Sequence, residues 1–184
     1  MSVQVSPEKI AKEAKSAYQH GDYFQAARAY EAARQAFLSR DDQINAAEMA
    51  NNASVAFLQA GDAESALKAA ERTVEVFAQA GDLRRQGMAL GNIGAALDAL
   101  DRDEEAMAFY ERSAEVLDQA GEDQLRASVM QSLSMLQFQT GRQLQALATM
   151  QHGLENVEHP SPKQSILKKL LRIPFDMATR KKPS

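Results

Sequence analysis

Side chains able to do acid–base or metal chemistry are few and scattered in this chain. Three histidines, His20, His152 and His159, are its only imidazoles among 184 residues, and there is no cysteine. Without thiols the chain has no disulfide framework, thiolate metal site or cysteine nucleophile. His152 and His159 stand seven apart, a spacing that can share one helix face, but no acidic partner completes a metal motif beside them. They read as surface or turn histidines. Acid pairs such as Glu104–Glu105 and Asp101/Asp103 fall at an expected helix start, where the macrodipole favours carboxylates without any catalytic role. No glycine-rich phosphate loop and no G-x-S-x-G elbow occurs. Met130, Met135 and Met150 recur among apolar positions and read as core or adaptable contact surface rather than metal ligands. These residues predict no enzyme, no cofactor and no metal site.

The elements that must position these residues are helices. Alanine makes up 33 of the residues, and the prolines are Pro7, Pro160, Pro162, Pro174 and Pro183, so 152 consecutive residues contain none. Alanine is the best helix former and proline the worst. Hydrophobic residues at 45% are enough to build a core. Met1 to Lys15 hold no apolar run and no stretch approaches ~20 apolar residues, so neither a secretory leader nor a membrane span is expected, and a cytoplasmic location is. The net charge of −4 hides an asymmetry. From Pro160 to Ser184 seven basic residues face one acid, giving +6, while residues 1–159 carry −10. An acidic body argues against nucleic acid as partner, because phosphates are held by cations.

The chain repeats itself. Gly21-Asp22 recurs as Gly61-Asp62, Asp101-Arg102 and Gly141-Arg142 at a spacing of 40 residues, each followed by an alanine (Ala26, Ala66, Ala106, Ala146). A second turn lies halfway, at Asp41-Asp42, Gly81-Asp82 and Gly121-Glu122. Glycine ends helices at low cost and a following Asp can cap the next one. Between turns the apolar residues follow helical spacing, as in Leu90, Ile93, Ala96, Leu97 and Leu100. The spacing predicts helix pairs of about 14–18 residues per helix, stacked so that neighbours share a core. Units of about 7–40, 41–80, 81–120 and 121–159 form one domain over 1–159, followed by a tail over 160–184.

The run Gly21-Asp22-Tyr23-Phe24-Gln25-Ala26 with Tyr30 and Ala33 resembles the second half of a tetratricopeptide repeat. The third unit matches best, with Leu90, Ile93, Gly94 and Leu97 in its first helix and Ala106, Tyr110 and Ser113 in its second. Gly94 and Ala106 are small enough for those helices to approach closely. The period of 40 exceeds the family's usual 34, and the pattern is similar to the extended variety found in kinesin light chains and some bacterial regulators. Glu13 stands at a normally apolar position, so the first helix reads as an end cap started by Ser6 and Pro7. The resemblance implies an all-α, right-handed superhelical solenoid of four hairpins plus a C-terminal capping helix.

In that family the first helices line a concave groove that accepts a peptide or partner helix. The groove positions carried over are Lys12 and Lys15 in the first unit, Asn51, Asn52 and Val55 in the second, Met88 and Asn92 in the third, and Gln131 and Met135 in the fourth. An amide offers donor and acceptor together and can hold an extended backbone without reading its sequence; the competing reading is a solvated polar face. Chaperone-binding members clamp a terminal carboxylate with two Lys, two Asn and an Arg. The matching positions here are Ala11, Lys15, Asn52, Met88 and Asn92, of which Asn52 alone fits, so no chaperone-tail binding is expected.

In the tail, Ile166, Leu170, Ile173 and Met177 align on a helical wheel, Lys168, Lys169 and Arg172 lie opposite, and Phe175 follows Pro174. Two readings stand. A repeat offset of 40 places a capping helix near residues 163–179. A basic amphipathic helix also suits an anionic membrane surface or a partner. The expected function is a non-catalytic scaffold or adaptor for another protein, with a peripheral membrane adaptor recruited through the tail as the alternative. The oligomeric state is left open.

Overall fold

Left-handed residues punctuate the chain every 20 positions. Gly21, Asp41, Gly61, Gly81, Asp101, Gly121 and Gly141 all have φ between 55° and 84°. At each, the following N–H reaches back five residues to a carbonyl, as in Asp62 N to Phe57 O at 2.9 Å and Arg142 N to Gln137 O at 2.7 Å. This is the Schellman closure, which satisfies the orphan carbonyls of a helix end. The computed structural model describes residues 6–169, and its helices run between these turns. They are α1 (Pro7–Gln19), α2 (Tyr23–Leu38), α3 (Gln43–Gln59), α4 (Ala63–Ala70), α5 (Thr73–Gln79), α6 (Leu83–Asp98), α7 (Asp103–Gln119), α8 (Asp123–Gln139) and α9 (Gln143–Glu155), with a further helical segment at 162–169.

Caps follow the expected chemistry where the residue allows it. Ser6 Oγ accepts from Lys9 N at 3.3 Å ahead of Pro7. Asp42, Asp62 and Asp82 accept from the backbone N–H three residues on, at 3.1, 3.0 and 2.9 Å. The Asn45 side-chain amide, together with the backbone bond, holds the Asp42 carboxyl below its ordinary pKa, and the backbone bond from Ser65 does so first for Asp62, since a hydrogen-bonded anion is favoured.

The hairpins are α1/α2, α3/α4–α5, α6/α7 and α8/α9, forming an all-α solenoid. Each first helix also packs on the second helix of the preceding unit: α3 on α2, α6 on α4 and α5, α8 on α7. The core has two parts that meet at α3. Ala14, Ala26, Tyr30, Phe37, Met49 and Ala53 form one, and Ala47, Val74, Phe77, Leu90, Leu97, Tyr110 and Leu133 belong to the other.

The close approach expected at Gly94 is present: a Cβ there would lie 2.8 Å from the Tyr110 ring. Gly87 against Leu117 and Gly153 against Met130 are equally tight, at 2.6 and 2.9 Å. One expectation is corrected. The second helix of unit two is not continuous but breaks at Glu71–Arg72 into α4 and α5. No glycine or proline stands there; the buried Thr73 hydroxyl donates to the Ala70 carbonyl at 2.8 Å, a local bond that competes with the helix ladder.

Two substitutions separate backbone from packing effects. Gly61→Val meets open space but forces a β-branched residue to φ +80°, and should cost about 1–2 kcal/mol. Gly94→Ala gains about 1 kcal/mol of helix propensity yet drives a methyl into Tyr110, for which overpacking costs about 1–3 kcal/mol. Urea denaturation should show a net loss for both; a more stable Gly94→Ala protein would contradict the close packing of α6 on α7.

Candidate functional site

The layer of first helices carries the face on which the groove residues were placed. Lys12 and Lys15 are exposed on α1. On α3, Asn51 is buried while Asn52 and Val55 are half-buried. Met88 and Asn92 are half-buried on α6, and Gln131 and Met135 are exposed on α8. Sequence periodicity pairs Asn52 with Asn92 as equivalent positions. In three dimensions Asn92 instead meets Asn51, its Nδ2 donating to Asn51 Oδ1 at 2.9 Å. Adjacent first helices are staggered, so partners across the layer are offset by 41 residues here rather than 40. Arg85 on α6 also pairs with Glu48 on α3 at 3.6 Å. Part of the expected peptide-holding chemistry therefore ties the layer together, while Asn52, Val55, Met88, Gln131 and Met135 keep exposed area on it.

Asp98, at the end of the same face on α6, receives the Tyr110 hydroxyl at 3.4 Å. Burial raises the Asp98 carboxyl above the ordinary carboxylate range, partly offset by that bond, and Asp101 and Asp103 add to the rise. Burial likewise raises the Tyr110 hydroxyl, which therefore stays a donor at neutral pH.

The histidines are used locally. An imidazole nitrogen of His20 lies 2.7 Å from the Ser16 carbonyl. The His152 ring lies 3.0 Å from the guanidinium of Arg126, and the His159 carbonyl accepts from Gln124 Nε2 at 3.0 Å. Arg126 is only 4% exposed and pairs with Asp118 at 3.2 Å. Among the described residues no three His, Cys, Asp or Glu side chains converge to hold a metal, and no helix is long and apolar enough to cross a membrane.

A cleft lies away from the positions that the sequence singles out. A half-open cleft of about 680 Å³ lies between α2, α3 and the broken α4–α5, with Ala46, Ala47 and Ala50 among its lining residues and Lys68 and Arg72 at its edge. At the repeat-equivalent positions later units carry Gln86 and Arg126, Gly87 and Ala127, Leu90 and Met130. Large side chains stand at the first and last of these positions in later units, while three alanines stand together in unit two. That three-alanine departure from the repeat was the available signal.

Of the tail residues, Lys168 is half-buried, and Lys169 and Ile166 are exposed. Leu170, Arg172 and Phe175 lie outside the described residues.

The amide pair and the half-buried carboxyl each generate a prediction. Asn92→Ala removes the partner of the buried Asn51 oxygen and should cost about 1–3 kcal/mol, whereas Asn51→Leu combined with Asn92→Leu should recover much of that loss. Asp98 is held above its unfolded value, so its native form binds protons more tightly, and stability present at low pH is lost as pH rises through the folded pKa. Asp98→Asn should therefore raise Tm at pH 7, with the gain disappearing below about pH 4. An equal gain at pH 3 and pH 7 would show that burial of this charge is not the cause.

Known proteins place this geometry. No curated protein matches the chain. Among solved structures, the crystal structure of BtubC (BKLC) from P. vanneervenii is similar with a TM-score of 0.69 at 16% sequence identity, covering 96% of this chain and 83% of that one. At that identity the likeness concerns the fold. The family model described as soluble NSF attachment protein, SNAP, matches residues 8–170, spanning all four hairpins. The hairpin repeat that resembles tetratricopeptide sequence is thus carried by a tetratricopeptide-like solenoid, and the chain belongs to the soluble NSF attachment protein family.

Proposed function

We propose that this protein is a non-catalytic adaptor of tetratricopeptide type that holds a peptide or helix of a partner protein along the layer formed by α1, α3, α6 and α8. The observation that carries this reading is the mixed strip of amide and apolar side chains on that layer, Asn52, Val55, Met88, Gln131 and Met135, all half-buried or exposed. Amides satisfy a partner's backbone while methionines adapt to its side chains. Membership in a family named for attachment supports a role in joining proteins rather than transforming substrates. The acidic body, −10 over residues 1–159, suits a partner segment bearing cations. Exposed Lys12 and Lys15 at the first unit give one end of the layer the opposite sign, which would orient a partner carrying both charges. A cytoplasmic setting fits a chain with no cysteine.

The test is affinity purification with quantitative mass spectrometry, comparing the wild type with Asn52→Arg and Met88→Arg. Both positions are half-buried, so helicity and Tm of each variant are measured first. A partner that uses this face should be depleted at least tenfold with either variant, equivalent to about 1.4 kcal/mol of binding. Equal recovery of the same partners by wild type and both folded variants would exclude this face as the docking site.

A further inference from the structure

Unit four shows how this solenoid fills the space between the second helices of neighbouring units. Arg126 reaches from α8 to both α7 and α9. Its Nε pairs with Asp118 at 3.2 Å and its Nη1 donates to the His152 carbonyl at 3.3 Å, with the side chain almost fully buried. Met130, one helical turn on, is buried as well. In unit three the equivalents are Gln86, half-buried, and Leu90, buried. Unit two has Ala46 and Ala50 at these positions, and the cleft of about 680 Å³ lies over them. The repeat equivalents of Asp118 and His152 are Leu38 and Arg72, and both line that cleft. Units three and four thus fill this space from their own first helix, and unit two leaves it open.

The walls define the chemistry of what would fill it. The alanine floor is flanked by Leu38, Phe57 and Val76. Such a surface gives water few partners and favours an apolar side chain. The charges at the edge are unequal. Arg34 is occupied by Glu31 at 3.0 Å. Lys68 and Arg72, four residues apart and exposed, enter no ion pair among the described residues. Glu71 is the other carboxylate on the lining, so the charges left over sum to +1 in a body of −10. The signs of unit four are therefore inverted. There the filling side chain is a cation and Asp118 on the wall is the anion. Here the cations stand on the wall, and the complementary filler is an anion on an apolar base.

We propose that the cleft of unit two docks an acidic segment of a partner protein, which inserts a large apolar side chain over Ala46 and Ala50 and sets a neighbouring Asp or Glu against Lys68 and Arg72. The cleft volume of about 680 Å³ falls within the ~300–1,000 Å³ usual for binding sites. The cleft is half open, which suits side chains carried by a backbone that stays outside. A free acyl chain laid there would keep one flank in water. Asn52 and Val55 fall on the opposite side of the α3 wheel from Ala46 and Ala50. The cleft is therefore separate from the layer of first helices, and the proposal does not rest on the role given to that layer.

The probe is a displayed library of random twelve-residue peptides, selected on the full-length protein and then measured singly by fluorescence anisotropy. Selected peptides should carry a large apolar residue with Asp or Glu within four positions. Ala50→Leu gives unit two the residue that unit three has at Leu90. It should leave Tm unchanged or higher, because it fills existing space, and weaken these peptides by about tenfold or more. Lys68→Glu combined with Arg72→Glu should weaken them similarly. Asn52→Arg, on the other side of α3, should leave their affinity unchanged even if it abolishes docking on the layer of first helices. Several results would overturn the proposal. One is a selection that yields no peptides of this composition, and another is peptides whose affinity ignores Ala50→Leu. A clear fall in Tm for Ala50→Leu would show that the space is not open in solution. Dodecanoate binding that Ala50→Leu abolishes, with no competition from the selected peptides, would assign the cleft to acyl chains.

Discussion

A backbone turn in the left-handed region recurs every 20 residues, and the architecture follows from its regularity. Each turn closes one helix through the five-residue back-bond and starts the next at a constant phase. The uninterrupted helices between turns of the central units run 16–17 residues, about 25 Å long. That length lets each helix lie along its neighbour for over four turns. Two such helices make the 40-residue unit, and equal units present their apolar stripes at the same angle, so one packing solution serves the whole stack. Asp takes this conformation at positions 41 and 101 because its short polar side chain tolerates it better than most.

Stacking equal units demands close helix contacts, and small residues provide them. Gly94 admits the Tyr110 ring and Gly87 admits Leu117, both across α6 and α7. Tyr110 fills that space and donates its hydroxyl to Asp98 on α6, so a packing contact also offsets part of the rise that burial gives this half-buried carboxyl. At α3 the same preference for alanine goes further than packing needs. Ala46, Ala47 and Ala50 leave the cleft beside the broken α4–α5 unfilled, and the two parts of the core meet on this helix. Unit two is therefore the place where the repeat is least regular.

The face proposed for a partner has the character of a surface rather than a pocket. Its central amides, Asn51 and Asn92, hold two units in register, and its remaining amides and methionines offer contacts that many sequences could satisfy. The charge distribution adds direction: an acidic body and a basic C-terminal segment separate the two signs along the chain.

Turn positions, hairpin count and helical content were legible in the residues alone, because left-handed backbone, capping and apolar periodicity are local properties readable within a few positions. The candidate face was given by the residues only as a set of helix positions. Which amides meet was decided by the stagger between neighbouring helices, which pairs Asn92 with Asn51 and not with its repeat equivalent. The burial of Arg126 beside His152 and Asp118, the break after Ala70 and the alanine-lined cleft likewise depend on what adjoining helices bring to the same place. A one-dimensional pattern records which way each helix faces, but the distance between faces is set by side-chain volumes summed across three or four helices, and that sum exists only when they are packed.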